Sequence, residues 1–235
     1  MFLIKYADDA NFLVPERSEV DITDEFEHIK KWANTNCMVV NFAKTNEMVF
    51  HRPNPRNFVS PAPIDTIEQL TVAKILGVFV HGTFKCDTHV DFILSICSQR
   101  VYLLKLLRDR GLQLPQLRTI CQSLIVSRIL YALPAWGGFL SVELKGRINA
   151  FLRRLYKYGF MHSVVDTDYL LASSDRKLFL NMQKCEHCLN HLLPSRKEAH
   201  MALRPAGHEF VLPSCKYDLH KRSFIVRSLF NFLTD

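Results

Sequence analysis

The chain opens with short apolar runs set around acids. Phe2-Leu3-Ile4-Lys5 and Ala10-Asn11-Phe12-Leu13-Val14 flank Tyr6-Ala7-Asp8-Asp9, and Pro15 ends the second run. Two apolar runs about a polar tip predict a β-hairpin presenting Asp8 and Asp9. From Ser18 the period changes: Val20, Ile22, Phe26, Ile29 and Trp32–Ala33 recur at helical spacing, with acids early and Lys30-Lys31 late. The stretch to Asn36 therefore predicts an amphipathic helix capped near Asp21 or Thr23. Cys37 to Asn41 reads as a buried strand, Asn41 to Asn46 as a turn, and Glu47 to Phe50 as a returning strand. Pro53, Pro55, Pro61 and Pro63 forbid regular structure between His51 and Pro63. Gln69 to His81 is β-like around Ile75–Val80, and Gly77 inside that run predicts a bulge or a close approach of backbone.

The second part of the chain is helical in pattern. His89 to Arg110 carries Val90, Ile93, Leu94, Cys97, Val101, Leu104 and Leu107 on one stripe, with Gly111 as its stop. Pro115 starts a helix to about Tyr131 on Ile120, Leu124, Ile125 and Ile129, and Leu133 to Gly138 reads as a break. Glu143 to Tyr158 predicts a third helix. Leu144, Ile148, Phe151, Leu152 and Leu155 face inward, and Arg147, Arg153, Arg154 and Lys157 face outward. Three helices with short connections predict a small bundle. Beyond Phe160, Val164 to Cys188 predicts one or two helices, Leu193 to Pro213 is loop-rich, and Lys216 to Phe232 is a last basic element. The pattern does not dictate how this tail folds.

Composition narrows the class. At 235 residues, 48% hydrophobic and 23% charged, the chain suits a soluble globular protein with one sizeable core or two small ones. Phe2–Ile4 is too short for a signal-peptide core, and Leu124–Trp136 is broken by Arg128 and Pro134, so no membrane partner is expected. Seven cysteines without a secretion signal predict reduced thiols in the cytoplasm or nucleus, not a secreted protein. Charge is unevenly placed. Residues 1–82 hold 8 Lys/Arg against 11 Asp/Glu, residues 83–160 hold 12 against 4, and the remainder 10 against 8. An acidic segment with a carboxylate pair followed by a basic one suits a protein that holds a polyanion, and a well-solvated helical surface would also be basic.

The candidate chemistry lies in two places. Adjacent Asp8 and Asp9 repel one another unless a cation meets them, and a pair of Mg²⁺ ions is one such partner; an exposed Asp-Asp turn is the other reading. Cys185-Glu186-His187-Cys188 has a zinc-like two-residue spacing, with His200, His208 or Cys215 as distant partners, but no second spaced pair follows; partly buried helix cysteines are the alternative. Cys37, Cys86, Cys97 and Cys121 lie in apolar runs and read as core, and Trp32 and Trp136-Gly137-Gly138 read as packing and turn residues. No Ser-His-Asp, Walker or dinucleotide signature is present.

The order of these pieces resembles the second half of a non-LTR (LINE-type, jockey-like) retrotransposon reverse transcriptase. The carrying residues are the Tyr6-Ala7-Asp8-Asp9 hairpin, the acidic helix ending in Trp32, and Asn41-Phe42-Ala43-Lys44-Thr45 leading into Met48-Val49-Phe50. Ile75-Leu76-Gly77-Val78 and the basic helical bundle follow. Leu203-Arg204-Pro205-Ala206-Gly207-His208 and His220-Lys221-Arg222-Ser223-Phe224 resemble the closing segment of these proteins.

The resemblance implies an α+β fold. Residues 1–83 would form a partial polymerase palm of antiparallel hairpins plus a helix, 84–160 a helical thumb, and 161–235 a small C-terminal region. It implies that Asp8 is a ligand of catalytic Mg²⁺ with Asp9 beside it, and that Tyr6 and Ala7 lie near the primer end and the incoming deoxynucleotide. Lys44 would support the departing pyrophosphate, and Leu76 and Gly77 would belong to a primer-gripping hairpin. Arg153 and Arg154 would contact phosphates of an RNA template and DNA primer, or an RNA–DNA hybrid. Only five residues precede Tyr6, so the third metal-binding aspartate and the fingers of such enzymes have no counterpart here. The expectation is two-Mg²⁺ nucleotidyl transfer in the parent enzyme, weak or absent Mg²⁺ binding in this chain, and inactivity alone. A non-catalytic nucleic-acid-binding module or a translated relic is the alternative.

Overall fold

The computed structural model describes residues 2–6, 9–16, 21–53, 58–64, 67–197 and 210–232, a mixed α+β chain in two compact units. The first unit comprises residues 1–73 and 81–83. Its strands β1 (Phe2–Tyr6) and β2 (Asp9–Leu13) pair antiparallel in the register Phe2↔Leu13 to Tyr6↔Asp9. Helix α1 (Ile22–Thr35) begins at Asp21, whose carboxylate accepts from the Thr23 N–H at 2.8 Å and meets an otherwise orphaned donor. Its inward stripe buries Phe26 and Ala33.

Three sequence expectations fail in this unit. Cys37–Asn41 is no buried strand: Cys37 takes φ +54, and Val39 is 93% exposed on a turn-and-coil segment. An apolar run is buried as a strand only when another strand pairs with it, and none does here among the described residues. Cys37 and Trp32 both stand exposed, Trp32 at 55%, rather than packed. The returning strand shrinks to β3 (Asn46–Glu47), paired in parallel with β4 (Glu68–Gln69) after a 3-10 turn at Phe42–Lys44. Glu47 explains the pairing, because its carboxylate accepts from the Ile64 N–H (3.1 Å) and from Gln69 Nε2 (3.3 Å).

Strands β5 (Val72–Ile75) and β6 (Val78–His81) form a third two-stranded sheet. Leu76 and Gly77 make its two-residue turn with φ +47 and +87, the left-handed pair that a primed hairpin turn requires. Gly77 is therefore the corner of a hairpin and not a bulge. A Cβ there would lie 3.6 Å from Tyr131 Cε1, so the expected close approach is made by a side chain.

The second unit comprises residues 74–80 and 84–235. Helix α2 (Asp87–Asp109) stops at Gly111, φ +93. Helices α3 (Leu114–Cys121) and α4 (Ser127–Leu130) are joined by a π turn at Gln122–Val126 that the apolar period does not reveal. Two carbonyls of that turn accept from α2: Ile125 from the Cys97 thiol (3.8 Å) and Leu124 from Arg100. The predicted break is instead the short helix α5 (Leu133–Trp136), buried at Leu133 and Trp136. Helix α6 (Val142–Lys157) is capped by Ser141 and buries Leu144, Ile148, Phe151, Leu152 and Leu155, the predicted stripe. With α2 and α3–α4 it forms the main core around Cys97, Leu104, Leu117 and Ile129.

The tail adds α7 (Thr167–Met182), α8 (Asp218–Lys221) and α9 (Phe224–Phe232). A second cluster of Phe179, Phe210 and Leu229 joins α7 to α9. Arg227 of α9 reaches back to the α5 region, donating to the Pro134 carbonyl (3.1 Å) and both Asp175 oxygens (2.7 and 2.9 Å). It leaves no room at Gly138, where a Cβ would fall 2.8 Å from Arg227 Cζ and closer still to its Nη1 and to the Arg222 carbonyl oxygen. Gly138→Ala should cost about 1–3 kcal/mol by overpacking, read as a lowered melting temperature. An unchanged melt would show that Arg227 yields freely and that the docking is loose.

Candidate nucleic-acid interface

Asp8 and Ala7 lie outside the described residues. Asp9 begins β2, exposed, directly opposite exposed Tyr6 across the ladder, so the structure brings these two predicted residues together. Lys44 stands exposed at the end of its 3-10 turn and makes no ion pair among the described residues. No group of three or more His, Cys, Asp or Glu side chains that could hold a metal ion occurs among the described residues. Asp9 alone does not make a two-ion centre. Cys185 and Cys188 are exposed on the turn after α7; His187 accepts from the Leu189 N–H at 3.2 Å, and His200 and His208 lie outside the described residues.

Leu76 and Gly77 are held through Tyr131, which the sequence did not single out, and Trp136, which reads as a packing residue and is buried. The Tyr131 hydroxyl donates to the Leu76 carbonyl (2.8 Å), and Trp136 Nε1 donates to the Tyr131 carbonyl (3.0 Å). Trp136 meets His89 edge to face at 4.8 Å, and His89 Nδ1 accepts from the Phe79 N–H at 3.3 Å, which closes the circuit on the hairpin. Phe79 and Phe92 pack at 5.0 Å with Lys74 over both rings. The turn is thus tied to the bundle by these hydrogen bonds, with Leu76 exposed at its corner. Its only sequence signal was the aromatic content near Tyr131–Trp136, which says nothing about a partner more than fifty residues away.

The bundle is electrically polarised. The Arg147–Asp91 ion pair marks one end of α2 and α6, and Lys105 over the Tyr158 ring at 4.0 Å marks the other, so the two helices run parallel. Arg118 donates to the Gly159 carbonyl (3.0 Å), and a Cβ on Gly159 would lie 3.5 Å from Leu114 Cδ2, which brings α3 to that second end. The first end is balanced, since residues 85–91 and 141–147 hold three Lys/Arg against three acids. At the second end, residues 104–118 and 151–162 hold seven Lys/Arg against Asp109 alone. Two helix C-termini subtract about half a charge each, far too little to cancel a surplus of six.

Arg153 and Arg154 belong to this basic pole and are exposed, with Arg154 5.4 Å over the Phe151 ring. The sequence reading missed Lys105, Arg108 and Tyr102 on the facing helix. Their three-residue spacing was legible, but only the inward stripe of that helix was followed. Lys105, helped by Arg154 and Arg108, draws the Tyr158 phenol below its ordinary pKa. Cys86, Cys97 and Cys121 are buried as predicted, and burial pushes each thiol up to about 11, which leaves them inert at neutral pH. No helix is long and apolar enough to cross a membrane among the described residues. Comparisons with family models, curated proteins and solved structures give no match, so any assignment rests on the residues of this chain.

Proposed function

We propose that the chain belongs to an RNA-directed DNA polymerase of the non-LTR retrotransposon kind, and that residues 84–160 of its second unit hold template and primer as the helical thumb. The observation that supports this reading best is the basic pole of the bundle, with Arg153 and Arg154 outward and one carboxylate against seven cations. Such a surface attracts a phosphate backbone and releases its counterions on contact. The Tyr6–Asp9 hairpin, Lys44 and the Leu76-Gly77 turn keep the roles that the resemblance implies, and nucleotidyl transfer is assigned to the parent enzyme with Mg²⁺ at Asp8 and Asp9.

An RNA–DNA hybrid should bind with an affinity that falls steeply with salt, and Arg153→Gln with Arg154→Gln should weaken binding and flatten that dependence. Affinity indifferent to salt and to both arginines would sink the reading. Primer extension with Mg²⁺ tests whether this chain carries out the chemistry by itself. Extension lost in Asp8→Ala would mark this chain as catalytic by itself, whereas hybrid binding without extension is expected of a chain that only holds nucleic acid, in a parent polymerase or as a module. Aggregation on expression without binding would mark a translated relic.

A further inference from the structure

We infer that the basic pole carries a site for single-stranded nucleic acid between α2 and α6. One phosphate would sit among Lys105, Arg108 and Arg154 beside the Tyr158 hydroxyl, and the adjoining base would stack on Tyr102. This rests on the nucleic-acid part of the reading above but names a different ligand from the hybrid.

Two cations of α2 meet one pair of rings at the end of α6. Lys105 Nζ lies 4.0 Å from the Tyr158 ring centroid, Arg108 Cζ lies 5.7 Å from that of Phe160, and the two rings are 6.0 Å apart. Phe160 is buried and Tyr158 half-buried, so the rings form a floor and fix the cations from below. Arg154 stands one turn before Tyr158, whose N–H donates to the Arg154 carbonyl at 3.1 Å, and the lowered pKa of the Tyr158 phenol fits cations at Lys105, Arg154 and Arg108. A hydroxyl among three cations suits a phosphate, which can accept from all four. Within residues 104–118 and 151–162 the one carboxylate is Asp109, loosely paired with Arg108 at 3.7 Å and itself exposed.

Tyr102 decides between single strand and duplex. It is 68% exposed and stands one helical turn before Lys105, on the same side of α2. An aromatic face beside a phosphate-binding cation serves a strand whose bases are free to stack, and is idle against a duplex whose bases already stack on each other.

The test is titration of the full chain with a labelled oligothymidylate of about 12 nucleotides and with an RNA–DNA hybrid, across a range of salt. Tyr102→Ala should weaken single-strand binding roughly 5- to 100-fold with the salt slope unchanged, because it removes stacking and no charge. Lys105→Gln and Arg154→Gln should each lower the slope by about 0.7, the value of one phosphate contact on a single strand. Asp109→Asn should tighten binding by roughly 2- to 5-fold, a gain that misfolding cannot produce.

If the hybrid binds and Tyr102→Ala changes nothing, the single-strand site falls while the thumb reading stands. If the single strand binds with these signatures and the hybrid does not, the inference stands and the thumb reading falls. If heparin binds but neither oligonucleotide does, both fall, and the pole is a general polyanion surface.

Discussion

Asp175→Ala should remove about 3–5 kcal/mol of stability, since it leaves the Arg227 guanidinium without its carboxylate partner in the interior of the second unit. Asp175 is 1% exposed and lies on α7, and it accepts two hydrogen bonds from Arg227 of α9. Burial raises the Asp175 pKa and the Arg227 fork works against that rise, so the pair trades desolvation against a short bidentate contact. Arg227 also donates to the Pro134 and Arg222 carbonyls, which makes it the meeting point of α5, α7 and the turn before α9. The lost stability should lower the melting temperature by roughly 6–20 °C for a chain of this size. Asp175→Leu combined with Arg227→Met should cost far less than either change alone, because neither a charge nor a polar group is then stranded. A double variant as unstable as the sum of its singles would refute this account. A single variant that melts with the parent would do so as well.

The helices were legible because their evidence is local. The 3.6-residue period of Val90, Ile93, Cys97, Val101 and Leu104 describes one face of α2 whatever it packs on, and each of these residues is buried. Asp21, Ser141 and Asp166 act at helix starts through bonds spanning two or three residues. Strands were read less well, because an apolar run becomes a strand only through a partner. Val39 and Met38 have none among the described residues and remain exposed, while Glu47 pairs where its carboxylate finds Ile64 and Gln69. Gly138 looked like a turn residue and is in fact the contact surface for a side chain almost ninety positions later, a constraint that no local window contains. For the site, Arg153 and Arg154 could be chosen from one helix. The pole exists only because α2 and α6 run parallel and end together, which is a tertiary fact. The hairpin of Tyr6 and Asp9 was legible from two apolar runs about a polar tip, and the register bears out that pairing without bearing on its chemistry.

Mild acid should loosen the hairpin from the bundle, and His89 should account for most of the pH dependence above the carboxylate range. His89 is 2% exposed and holds the Phe79 N–H on its Nδ1, so the neutral ring carries its proton on Nε2, which has no partner. A second proton would place an N–H on Nδ1 against the Phe79 N–H and would bury a charge beside Arg128. Burial first, and Arg128 second, lower the His89 pKa from 6.5 to about 4. The unfolded chain therefore takes up this proton near pH 6.5 and the folded chain does not until about pH 4. Stability is thus lost as pH falls through that window, at up to about 1.4 kcal/mol per pH unit, and is insensitive to His89 above it. By about pH 4.5 the loss from this residue should reach roughly 2–3 kcal/mol, or about 5–10 °C in melting temperature. His89→Asn supplies an amide oxygen for the Phe79 N–H and does not titrate. It should be less stable than the parent at neutral pH through lost packing on Trp136, yet nearly flat between pH 6.5 and 4.5, so the two melting curves converge on acidification. Parallel losses in parent and variant would assign the acid sensitivity elsewhere and leave His89 as a packing residue only.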